Sequence, residues 1–64
     1  MTEKELLYVE DAVNHELNII AYLNDVMNVL DDEDLVSFMD EEVKKHDVYL
    51  SKLLKKLENM SNEW

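Results

Sequence analysis

One apolar stripe at heptad spacing runs almost the length of the chain, and only two polar residues interrupt it. Every seventh residue from Leu6 and from Val9 gives Leu6, Val9, Val13, Glu16, Ile20, Leu23, Met27 and Leu30. The same reading from Val36 and Met39 gives Val36, Met39, Val43, His46, Leu50, Leu53, Leu57 and Met60. Fourteen of these sixteen positions are apolar, the pattern of helices that pack knobs into holes as a coiled coil. The stripe breaks across Asp31-Asp32-Glu33-Asp34 and restarts beyond it. The fold class is therefore all-α: a two-helix antiparallel hairpin, with helix one over about 3–30 and helix two over about 32–60, as a single domain of residues 1–64.

Gly and Pro are absent, so side-chain caps have to set the helix ends. Thr2-Glu3-Lys4-Glu5 is a capping box, in which the Thr2 hydroxyl accepts from the Glu5 amide and Glu5 reaches back. In the acidic break, Asp31 is read as the cap of helix two, and the acids after it suit a helix N-terminus. Leu30 and Leu35 then hold the positions of a hydrophobic staple. Charge is sorted along helix two: residues 31–42 hold seven acids and no base, and residues 43–57 hold five Lys and one Asp. Both ends of the helix dipole favour that order.

Folding back at Asp32–Glu33 pairs Leu30 with Val36, Met27 with Met39, Leu23 with Val43 and Ile20 with His46. The layers continue with Glu16 against Leu50, Val13 against Leu53, Val9 against Leu57 and Leu6 against Met60. Every layer closes, which a wrong register would not allow. Glu16 and His46 then occupy adjacent layers.

Two helices packed only on each other bury little surface for a chain of 64 residues, so an oligomer is expected. Helix one carries an apolar arc wider than the seam needs. It runs through Ala12, Ile19 and Val26, and on to Tyr8, His15, Tyr22 and Val29. Helix two is narrower, adding chiefly Leu35, Tyr49 and Leu54. The simplest cover is a second copy, giving a homodimeric four-helix bundle whose interface holds Tyr8, Ala12, His15, Ile19, Tyr22 and Val26.

A formal charge of −10 opposes nucleic-acid or anionic-membrane binding, where phosphates call for Lys and Arg. It suits a basic protein partner, a divalent metal or plain solubility. No apolar run is long enough to span a membrane and no secretory signal is visible, so a cytoplasmic location is expected. Without cysteine there is no disulfide framework and no thiolate metal site. No nucleophile–base–orienter set, phosphate loop or cofactor motif is found, so nothing points to an enzyme and no catalytic or cofactor-binding residue is assigned.

A Glu or His on an apolar seam is costly unless paired or liganded. Glu42 lies one turn before His46 on the same side of helix two, so each hairpin offers Glu16, Glu42 and His46. Doubled in a dimer, that is the donor inventory of di-iron and di-manganese bundles, and its oxygen and imidazole donors suit Fe, Mn or Zn. The stretch from Glu16 through Tyr22, Asp34-Leu35, Phe38, Glu41-Glu42 and His46 to Leu50 resembles the half-repeat of ferritin-like proteins. It is also similar to the short coat-F-like proteins of spore-forming bacteria. That resemblance implies a four-helix bundle, a possible spore-coat setting and a metal site of the Glu plus Glu-x-x-His type. Here the second motif is Glu42-Val43-Lys44-Lys45-His46, one residue longer than Glu-x-x-His.

Three functions follow. One is a structural or protein-interaction module in which a Glu16–His46 hydrogen bond sets the register. The second is a metal-binding bundle using Glu16, Glu42 and His46. The third is an acidic inhibitor that covers a basic surface on a partner protein.

Overall fold

A computed structural model describes the backbone of residues 2–62 and the side chains of residues 2–60. It is a helical hairpin of α1 (Glu3–Val29) and α2 (Glu33–Asn62) in contact along their length, with Cα extents of 48 × 15 × 11 Å. At 1.5 Å per residue a 27-residue helix is about 40 Å long, so the chain folds once and both helices run nearly its full length.

Burial follows the stripe. All sixteen seam positions are buried or half-buried. Of the other described side chains only Ala12, Ile19, Val26, Asp40 and Glu42 are half-buried, and each flanks the seam. The interior is thin: Val13, Val43 and Glu16 alone fall below a tenth exposed among the described residues. Two helices enclose one line of side chains, so most seam residues keep one flank in water.

The start of α1 is built as the sequence predicts. The Thr2 hydroxyl accepts from the Glu5 amide at 3.1 Å and donates to Glu5 Oε1 at 2.9 Å, while the Thr2 amide donates to that same oxygen at 3.1 Å. These two donors, the backbone one foremost, hold the Glu5 carboxyl below the ordinary value of a glutamate. The Thr2 carbonyl accepts the first helical bond, from Leu6.

The start of α2 differs from the sequence reading. Asp32, not Asp31, is the cap: its Oδ1 accepts from the amides of Asp34 at 2.9 Å and Leu35 at 3.1 Å, and its carbonyl accepts from Val36. Val36 is half-buried on the seam, as the heptad reading placed it, and Leu35 is about half exposed; with Asp32 as the cap, Leu30 and Leu35 no longer hold the two positions of a staple. The connection between the helices is extended at Leu30 (φ −86°, ψ 136°), and no described residue has positive φ. The reversal thus needs no glycine.

Candidate functional site

Glu16 and His46 meet at the middle of the hairpin. Each sits on its helix's inward stripe, so the fold aims both at the same line. The bond joins Nδ1 of His46 to Oε2 of Glu16 at 2.6 Å, across 30 residues of sequence. With Glu16 ionised its oxygens can only accept, and the ring then donates from Nδ1.

The two partners are unequally covered. The Glu16 side chain is 9% exposed and that of His46 29%. Glu16 therefore depends on the imidazole for its only described side-chain partner, whereas His46 keeps one edge near water. No buried side-chain nitrogen or oxygen lacks a partner among the described residues. Chemically the pair is a satisfied polar cross-link. It fixes the axial alignment of α1 against α2, since a slide by one turn would strand a carboxylate among Val and Leu.

Glu42 does not join them. It sits beside the seam, half-buried, and its Oε1 accepts from Lys45 Nζ at 3.4 Å. Among the described residues no three His, Asp or Glu side chains gather closely enough to hold a metal ion. Position four before His46 puts Glu42 on the neighbouring row of the helix, where a lysine three residues on captures it. A second intrahelical pair, Lys44 Nζ to Asp40 Oδ2 at 3.0 Å, lies on the opposite flank of α2. Both are solvent-facing and contribute at most a few tenths of a kcal/mol, about what exposed helical pairs give.

The outer arc of α1 stands as follows. Ala12, Ile19 and Val26 are half covered by α2, His15 is exposed, and Tyr8 and Tyr22 are 60% and 67% exposed. The Lys4 ammonium stands 5.9 Å from the centroid of the Tyr8 ring. Phe38, which carries part of the family resemblance but belongs to no interface expected from the sequence, is more than half exposed. It could have been found three residues after Leu35, on the row that continues the flank of α2 holding Leu35 and Tyr49. No helix among the described residues is long and apolar enough to cross a membrane. Comparison with protein-family models, curated proteins and solved structures gives no match.

Proposed function

We propose that the chain is a small structural or protein-interaction module that pairs with a second copy into a four-helix bundle of ferritin-like form. Glu16 and His46 serve in it as the register lock of each hairpin. One observation carries this reading. The seam is complete, yet large apolar side chains remain outside it: Tyr8, Tyr22, Val29 and Phe38 are each more than half exposed. Scattered exposed apolar residues such as Leu7 and Val48 are ordinary, but Tyr8, Tyr22 and Val29 share one flank of α1, and such a row supports an interaction surface.

The spore-coat setting is supported by the resemblance of the Glu16 to Leu50 stretch and by nothing further. Sedimentation equilibrium at micromolar concentration tests the module reading. The expected mass is twice the 7.6 kDa of one chain, and a helical species at 7.6 kDa would refute it. Added Mn²⁺, Fe²⁺ or Zn²⁺ should leave the melting temperature unchanged. A rise that disappears in a Glu16→Leu/His46→Leu variant would instead make the pair a ligand set, because a bound ion stabilises by mass action.

A further inference from the structure

This inference rests on the dimer reading above and specifies its geometry. In an antiparallel helix pair, the residues just before the first seam position of each heptad lie on the same broad side of both helices. Here that row is Glu5, Ala12, Ile19 and Val26 in α1 and Leu35, Glu42, Tyr49 and Lys56 in α2. Tyr22 and Phe38 stand on the next rows outward, on the same side. The opposite side holds the residues just after the second seam position. Four of the six between Glu10 and Leu54 are Glu10, Asn24, Asp40 and Asp47. The hairpin is thus a plate with a mainly apolar face and an acidic face that also carries Leu7, Leu17 and Leu54.

The amount of surface agrees with one missing partner. The chain exposes 5038 Å². A compact monomer of 7.6 kDa would expose about 4,300 Å² by the usual scaling of area with mass. By the same scaling a compact dimer of twice that mass would expose about 7,100 Å², so each of two copies exposing 5038 Å² would lose roughly 1,500 Å² on pairing, within the range of obligate dimers.

Charge along the axis decides the orientation. Residues 22–42, the half of the hairpin nearest the turn, carry eight carboxylates and no lysine. All six lysines lie in the other half, where they nearly balance the acids present there. Two hairpins stacked with turns together would crowd sixteen carboxylates at one end without a cation. Stacked head to tail, each acidic turn lies over the other copy's lysine-bearing end, and Lys52 and Lys56 are on the apolar face to meet it.

We infer that two copies pack apolar face to apolar face in opposite directions, about a twofold axis perpendicular to the helices near the Glu16–His46 layer. The acidic faces then form both outer surfaces of the bundle.

A single spin label distinguishes the outcomes, since the chain has no cysteine of its own. Ser37→Cys is exposed and lies near the turn, ten residues from the middle of α2. At 1.5 Å per residue its two copies would be about 30 Å apart along the axis of a head-to-tail dimer. With turns together they would lie within about 20 Å, two helix diameters. A dipolar distance of 30 Å or more is expected from electron–electron double resonance. A distance under 20 Å would overturn the orientation and leave the dimer standing. No dipolar signal from fully helical protein would overturn the dimer itself. The choice of face has its own test. Tyr49→Lys should raise the dimer dissociation constant at least tenfold, and Leu17→Lys on the other side should leave it within about twofold. The reverse pattern would overturn the face assignment.

Discussion

α1 and α2 share one seam but face their surroundings differently. Seven of the 27 residues of α1 carry charge, against twelve of the 30 in α2. The outer rows of α1 are instead Asn, Tyr, His and Val, and its charges are concentrated in its first half. In α2 the apolar residues are gathered more tightly on one side, and acids give way to lysines along the axis. In the proposed face-to-face dimer both helices would meet the partner, α1 through a row almost free of charge and α2 through apolar residues near the turn and lysines beyond them.

The sharpest attempt to break this contrast places the same charge on each helix. Ile19→Asp on α1 should dissociate the dimer and remove most helical circular dichroism, because an unpaired carboxylate would be buried in the interface. Val48→Asp on α2, at a site already 56% exposed, should change stability by no more than about 0.5 kcal/mol. Equal effects of the two would erase the distinction between the helices.

A smaller asymmetry should appear at the polar pair. His46→Leu strands the well-buried Glu16 and should cost about 3 kcal/mol in urea unfolding. Glu16→Leu leaves a half-exposed imidazole and should cost nearer 1 kcal/mol. Replacing both should be neutral or stabilising, since an apolar pair suits the seam. Additive losses in the double variant would show that the two residues act independently.

Cap removal comes next. Asp32→Ala should cost ~1 kcal/mol, as lost N-caps do, and Asp31→Ala should fall within about 0.5 kcal/mol. The weakest effect belongs to the start of α1. The folded-state carboxyl of Glu5 is held below its ordinary value, so its contribution is present at neutral pH and is lost as acidification protonates it. Glu5→Gln should therefore flatten the acid side of the stability–pH curve slightly, while leaving its neutral arm nearly parallel to wild type.

Much of this could be read from the residues. The seam was legible because burial at heptad spacing leaves one unbroken pattern, and Glu16 and His46 stood out as its only polar members. The first cap was legible because Thr2 and Glu5 sit among residues that cannot substitute for them. The second cap was not, since four consecutive acids all offer a carboxylate, and only the hydrogen bonds to the Asp34 and Leu35 amides single out Asp32. Glu42 lies on the row beside His46, as its spacing implied, and the ion pair with Lys45 is a contact that spacing alone does not reveal. The place of Phe38 on an outer face was not legible because that face exists only once both helices are side by side.

The glycine-free turn hides a further constraint on what this chain can become. Suppose the acidic break were rewritten so that α1 and α2 ran on as one rod. Continuing the heptads beyond Leu30 would call for apolar residues at positions 34 and 37, which are Asp34 and Ser37. The stripe actually resumes at Val36 and Met39, two residues late, which is about 200° around a continuous helix. The straight form would carry its two stripes on opposite sides, and no single neighbour could cover both. Reversal is thus written into the phase of the repeat as well as into its caps. Mutations confined to the turn cannot convert the hairpin into a long coiled coil unless they also insert or delete residues.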